Sequence, residues 1–181
     1  DINVESEYGK GTIFKFFFEC DEVASANSDE ETDEITELKA QRINGILSNH
    51  TDAVRILIAE DQPNNRLLLR KILGRAGFEM CEAANGQEAV ELTHSWKPHL
   101  ILMDEDMPIM KGSEAAREIV AANSDDEPVI VSLTAYALEQ AKQSALAAGC
   151  KDFLAKPFKA HEIFTVISRH LDIDYTFEDS A

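Results

Sequence analysis

Five polar side chains stand at the ends of four apolar, strand-length runs in this chain. Glu60 and Asp61 follow "VRILIA" (54–59), Asp104 follows "LILM" (100–103), Thr134 closes "PVIVSLT" (128–134), and Lys156 follows "DFLA" (152–155). Two more acids, Glu105 and Asp106, come straight after Asp104. In one cleft, Glu60, Asp61 and Asp104 would repel each other and stay ionised only beside positive charge. Lys156 supplies one such charge. A hard divalent cation would supply more, and carboxylate oxygens with water are what Mg²⁺ prefers. A single acid at a strand end is usually a solvated loop residue. Three acids, a hydroxyl and a lysine at one edge of one sheet argue for a built site.

The elements that would gather them alternate strictly from Val54 onward. "FEMCEA" (78–83) supplies the remaining strand. Between the strands lie helical periods. Leu68, Leu69, Ile72 and Leu73 mark the first helix, about 64–76, stopped by Gly77. Asn85 with Glu88 three residues on starts a second, about 86–95. A third spans about 113–122, a fourth ("LEQAKQSALAAG") ends at Gly149, and a fifth carries Ile163, Phe164, Ile167 and Leu171. Five βα units with continuous apolar strands predict an α/β fold, a doubly wound five-stranded parallel sheet covered on both faces. In such sheets the working site lies beyond the carboxyl ends of the strands. With strand order 2-1-3-4-5, the first, third, fourth and fifth strands are neighbours, and Glu60, Asp61, Asp104, Thr134 and Lys156 converge.

Composition excludes several classes of function. The 181 residues are 44% hydrophobic and 28% charged, enough for one core and a smaller appendage. A net charge of -17 argues against nonspecific binding to nucleic acid or to an anionic membrane. No apolar run reaches membrane-spanning length, and the N-terminus lacks a signal-peptide layout. Cys20, Cys81 and Cys150 are too widely spaced for a disulfide framework or a zinc site, so they read as buried free thiols in a reducing cytoplasm. A parent protein anchored in a membrane remains compatible with that.

The organisation reads in four pieces. Residues 1–20 form a hairpin, with Ile2 and Val4 alternating with polar residues, "YGKG" turning, and Phe14, Phe16 and Phe18 on one face. Two strands alone are marginal, so the hairpin looks like the remnant of a larger domain. Residues 21–53 have the composition of an acidic linker, with eight acids and no base from Asp21 to Leu38; within it "RINGIL" (42–47) reads as an extended segment lying against the next domain. Residues 54–171 are the alternating domain, and 172–181 a C-terminal tail.

Rival sites fail on motif. "AEDQPNNR" has no glycine to cradle a dinucleotide or a P-loop phosphate. Counting from Asp104, a calcium EF-hand loop would need Gly at its sixth position, where Ile109 stands. "DED" is similar to the nucleophile pair of haloacid-dehalogenase-type phosphatases. Pro108, however, stands where that family places a small β-branched residue, and the pair lies on the wrong strand.

"ILIAED", "LILMDEDMP", "SLTA" and "DFLAKPF" occur in the order and at the spacings of another family. Residues 54–171 resemble the receiver domain of two-component response regulators, whose fold is flavodoxin-like. The resemblance implies that Asp104 is the phospho-acceptor. Mg²⁺ would be held by Asp61, the Asp104 carboxylate and the Asp106 backbone carbonyl, with Glu60 acting through a water. Thr134 and the Ala135 amide would bind phosphoryl oxygens, and Lys156 would pair with the phosphoryl group. Thr134 and Phe153 would form the switch, Asp106 and Tyr136 would tune phosphoryl lifetime, and the Lys156-Pro157 bond would be cis. Lys111 stands before Gly112 where the family often has an acid.

"VESEYGKGTIFKFFFE" is similar to the last hairpin of a histidine-kinase ATP-binding domain. Together these resemblances imply the C-terminal part of a hybrid sensor histidine kinase. Its donor or acceptor would be a kinase dimerisation/phosphotransfer domain or a histidine phosphotransfer protein. No ATP binding is expected, since the kinase's nucleotide-binding residues would lie upstream. The few residues after the fifth helix are too short for a DNA-binding output domain. The only catalysis expected is of its own aspartyl phosphorylation and dephosphorylation. The output would pass through the face of the fourth helix, fifth strand and fifth helix. The alternatives are a receiver that binds partners without phosphate and, last, the phosphatase.

Overall fold

The structure is a computed structural model and describes residues 2–7, 11–16, 43–48, 53–122, 127–135 and 139–177. The chain divides into two compact units, Asp1–Glu31 and Thr32–Ala181. The first contains β1 (Ile2–Glu7) and β2 (Gly11–Phe16), an antiparallel pair with Val4 opposite Phe14 and Glu7 opposite Gly11. The turn expected at "YGKG" and the position of Phe18 lie outside the described residues.

The second unit begins with β3 (Ile43–Ser48) and then alternates. In chain order come β4 (Arg55–Ala59), α1 (Pro63–Gly74), β5 (Glu79–Ala83), α2 (Gly86–Trp96), β6 (Leu100–Asp104), α3 (Gly112–Ala121), β7 (Val129–Thr134), α4 (Glu139–Ala147), β8 (Asp152–Ala155), α5 (Ala160–Leu171) and β9 (Ile173–Phe177). The five parallel strands lie in the order β5-β4-β6-β7-β8, which is 2-1-3-4-5 within the alternating region, as expected. None of the helices among the described residues is long and apolar enough to cross a membrane.

The sheet is buried on both faces because its strands alternate apolar with apolar. Ile56, Ile58, Leu100, Leu102, Val131 and Leu133 face one layer, where Leu69 and Leu73 of α1 and Ile163 and Ile167 of α5 pack on them. Leu57, Ala59, Ile101, Met103 and Ile130 face the other, against Ala89, Ala115, Ala116 and Ile119. Each buried Leu or Ile contributes roughly 1.5–3 kcal/mol. Both layers are needed to hold β6, whose five residues are all buried, at the centre.

Helix starts and stops follow local chemistry. Pro63 opens α1, where its missing N–H costs nothing. Gly77 follows that helix at φ 85°, a left-handed conformation that glycine adopts freely. The Asn85 side chain accepts from Glu88 N at 2.9 Å, while Glu88 reaches back to Ala84 N at 2.8 Å. Trp96 is partly buried, Met103 and Met107 are buried, and Met110 packs at the rim. Cys150 is buried as well, and burial pushes its thiol up to about 11, which leaves it inert at neutral pH.

One relationship differs from the sequence reading. The expected C-terminal tail contains β9, which pairs antiparallel with β3, inside the expected linker. Ser48 lies opposite Ile173 and Ile43 opposite Phe177, with a register shift between Ile43 and Gly45. Ile173 is buried in the core. Tyr175 meets Phe164 of α5 edge-on at 5.0 Å and donates its hydroxyl to the Phe164 carbonyl at 2.8 Å. Alternation of Ile173, Tyr175 and Phe177 is visible in the sequence, but so short a strand exists only with its partner, over a hundred residues upstream.

Candidate functional site

The carboxyl ends of β4, β6, β7 and β8 meet at one edge of the sheet. Glu60 follows β4 and is fully buried, and Asp61 beside it is partly exposed. Asp104 and Thr134 are the last residues of β6 and β7, and both side chains are buried. Lys156 follows β8, and its bond to Pro157 is cis. Its ammonium donates to Glu60 Oε2 at 2.7 Å and to Asp104 Oδ1 at 2.8 Å. One oxygen from each of Glu60, Asp61 and Asp104 lies within 4.8 Å of the others.

The electrostatics are unbalanced. Burial raises the Asp104 carboxyl above the ordinary aspartate range and Glu60 adds repulsion, with the Lys156 hydrogen bond working the other way. For Lys156, burial disfavours the charge, but hydrogen bonds to Asp104 and Glu60 outweigh it and hold the ammonium above its ordinary value. Two of the three acids, Glu60 and Asp104, therefore share one lysine. The donors are hard oxygens, and the residual negative charge suits a hard divalent cation; Glu60, Asp61 and Asp104 fit such an ion.

The acidic run at 104–106 fans out in three directions. Asp104 turns inward to Lys156. Glu105 turns to the start of α3, accepting from Ser113 N at 3.0 Å and Ser113 Oγ at 2.8 Å. Asp106 is exposed on the lip of a cavity of about 190 Å³, lined also by Glu105, Lys111, Ser132, Thr134, Ser144 and Ala145. The loop closes on Gly112, whose amide donates to the Glu105 carbonyl at 3.1 Å. A Cβ on Gly112 would collide with the Asp104 carbonyl, so only glycine fits there.

Ala135 is an exposed bend directly after Thr134. Phe153, on β8, is half-buried, and its amide donates to Asp152 Oδ1 at 2.8 Å. Tyr136 lies outside the described residues. Lys111, noted in the sequence for its charge, is exposed at the cavity rim.

Two supporting residues escaped the sequence reading. Arg66 of α1 donates to the Glu60 carbonyl at 2.5 Å and the Asp61 carbonyl at 3.3 Å, while its Nε donates to Glu82 at 3.1 Å. Asn65 donates to Glu60 Oε1 at 3.2 Å, beside Gln62 N at 3.1 Å. Their signal was present: the first turn of α1 starts just after the acid pair, so its polar residues fold back over that loop.

Comparison with known proteins agrees with this geometry. Residues 56–168 match the response regulator receiver domain family. The chain is 35% identical over 116 residues to the chemotaxis protein CheY of Thermotoga maritima, an alignment covering 64% of this chain and 95% of that protein. Among solved structures, it is similar to the receiver domain of the Pseudomonas aeruginosa sensor histidine kinase PA1611, which has a magnesium ion coordinated in its active-site cleft. That similarity has a TM-score of 0.62 at 34% identity and covers 67% of this chain and 99% of that one. It is also similar to the receiver domain of Saccharomyces cerevisiae Ssk1, crystallised with the histidine phosphotransfer protein Ypd1. There the TM-score is 0.62 at 32% identity, covering 66% of this chain and 90% of the other. With its parallel sheet in the order 2-1-3-4-5 and its acid cluster at the strand tips, the chain belongs to the response regulator receiver domain family.

Proposed function

We propose that Asp104 is the phospho-acceptor of this receiver domain, taking its phosphoryl group from a phosphohistidine. The observation that carries this reading is Lys156, held between Glu60 and Asp104 beside the Asp61 carboxylate. Phosphoryl transfer asks a protein for positioning and charge neutralisation more than for covalent work. A free oxygen of Asp104 attacks phosphorus in line. The P–N bond to the donor histidine breaks, and the imidazole leaves with its electron pair. The Lys156 ammonium neutralises charge on the phosphoryl oxygens. The Thr134 hydroxyl and the Ala135 amide donate to them.

Asp61, the Asp104 carboxylate and the Asp106 backbone carbonyl would hold Mg²⁺, with Glu60 reaching it through a water. When bound, the ion supplies charge stabilisation for the transferring group. The buried Glu60 has a second task here, fixing Lys156. The acyl phosphate on Asp104 is open to hydrolysis, and Asp106 and Tyr136 tune access of that water. Phosphorylation draws the Thr134 hydroxyl inward and lets Phe153 move into the vacated space, changing the face formed by α4, β8 and α5.

The donor or acceptor is a kinase phosphotransfer domain or a histidine phosphotransfer protein, the class represented by Ypd1 beside the Ssk1 receiver. A groove of about 360 Å³ lined by Asn65, Leu68, Lys156, Pro157 and Phe158 lies beside the reactive edge and offers such a partner an apolar landing. The hairpin β1–β2 and the PA1611 relative support a hybrid sensor histidine kinase as the parent.

The test is incubation with acetyl phosphate and Mg²⁺ followed by intact mass measurement. A single, alkali-labile phosphoryl adduct is expected, absent in Asp104→Asn and without Mg²⁺. Lack of any adduct in the wild-type chain would favour a phosphate-independent interaction module. Steady turnover of a phosphate monoester would favour the hydrolase.

A further inference from the structure

Phe153 stands beside the cavity at the reactive edge, and a cation lies over its ring. In the parallel ladder Ser132 pairs with Phe153 and Thr134 with Ala155, so Phe153 shares a sheet face with Ser132 and Thr134. Helix α4 covers this face through Ala145, which packs in the same layer as Ile130. Ser132, Thr134, Ser144 and Ala145 line the cavity of about 190 Å³ between strand and helix. A cavity of about 150 Å³ accommodates a benzene ring, so the space is on the scale of the Phe153 side chain.

The ring nonetheless stays partly exposed. Removing more of its apolar surface from water favours an inward turn, into a space lined also by Glu105, Asp106 and Lys111. Opposing that drive, the Lys142 ammonium of α4 sits 5.1 Å from the Phe153 ring centroid. A cation over an aromatic face is attracted by the ring quadrupole. That attraction is lost if the ring turns into the cavity while the ammonium stays in water.

We propose that Lys142 is a positioning residue for the phosphorylation switch: its cation–π contact holds Phe153 at the surface and weights the domain toward the unphosphorylated state. The proposal rests on the reading that Phe153 moves when Asp104 is phosphorylated. By linkage, whatever biases the ring outward weakens phosphoryl-group binding, by up to the same factor. An exposed cation–π contact corresponds to a factor of roughly two to five.

The experiment uses the full chain labelled with 4-fluorophenylalanine, the Phe153 fluorine resonance being assigned with Phe153→Leu. The probe is beryllofluoride, a phosphoryl mimic, titrated in Mg²⁺. Lys142→Met keeps the length and apolar stem without the charge, and Lys142→Arg restores a cation; both substitutes are good helix formers. Lys142→Met is expected to saturate at lower beryllofluoride, by a factor of up to roughly two to five. Its unliganded Phe153 resonance is expected to lie closer to the saturated position, and Lys142→Arg to track the wild type. A Lys142→Met titration matching the wild type overturns the proposal, as does Lys142→Arg behaving like Lys142→Met. If saturating beryllofluoride leaves the wild-type Phe153 resonance unmoved, the switch reading itself falls and the latch with it.

Discussion

Lys156 Nζ lies 2.8 Å from Asp104 Oδ1, although 52 residues of chain separate the two and strand β7 runs between their strands. The same ammonium is 2.7 Å from the fully buried Glu60. One lysine therefore offsets the negative charge of two neighbouring carboxylates.

Removing that lysine should be costly. In Lys156→Met, Glu60 keeps its bonds from Gln62 N and Asn65 but loses its charged partner. Breaking a buried pair from one side costs about 3–5 kcal/mol, and the surviving hydrogen bonds place this case near or below the lower end. Urea unfolding in EDTA should show a lower midpoint, and adding Glu60→Gln should recover part of the loss. An unchanged midpoint in the single variant would mean that the ammonium contributes nothing to folding.

Asp152 provides a pH-dependent contribution at the start of β8. Burial pushes its carboxyl upward, but the His170 hydrogen bond, the Phe153 amide and the Arg169 guanidinium outweigh burial and hold it below its ordinary 3.8. A carboxyl depressed in the folded state stabilises above its unfolded value, and the contribution fades as pH falls through the folded value. Wild type should therefore exceed Asp152→Ala in unfolding free energy by a constant margin at neutral and mildly acidic pH. The margin should shrink below the ordinary aspartate range. A margin that widened toward low pH would reverse the assignment.

The β3–β9 pair should respond to loss of a single oxygen. Tyr175→Phe keeps the edge contact with Phe164 but removes the hydroxyl that donates to the Phe164 carbonyl. Burial raises the Tyr175 hydroxyl well above its ordinary value, so it remains a donor through neutral and alkaline pH. The expected cost is about 1 kcal/mol, read as a lower urea midpoint with unchanged slope. Equal midpoints would show that water replaces the bond at no cost.

Much of this protein was written locally in its chain. The apolar runs "VRILIA", "LILM" and "PVIVSLT" forecast buried parallel strands because a strand covered on both faces needs apolar residues at successive positions. Asn85 with Glu88, and Gly77, marked helix ends because capping and left-handed turns are chemistry within a few residues. With the strand order 2-1-3-4-5, Glu60, Asp61, Asp104, Thr134 and Lys156 were expected at one edge, and they lie there.

Only the tertiary structure decided how those residues divide their work. Three neighbouring acids at 104–106 look alike in sequence, yet Asp104 meets Lys156, Glu105 ties down α3 through Ser113, and Asp106 lines the cavity. Arg66 became part of the site only when α1 folded back over the Glu60–Asp61 loop. Strands β3 and β9 became strands only by finding each other. Periodicity and capping depend on neighbours in the chain, whereas side-chain partnership and strand pairing depend on neighbours in space, and no local pattern encodes those.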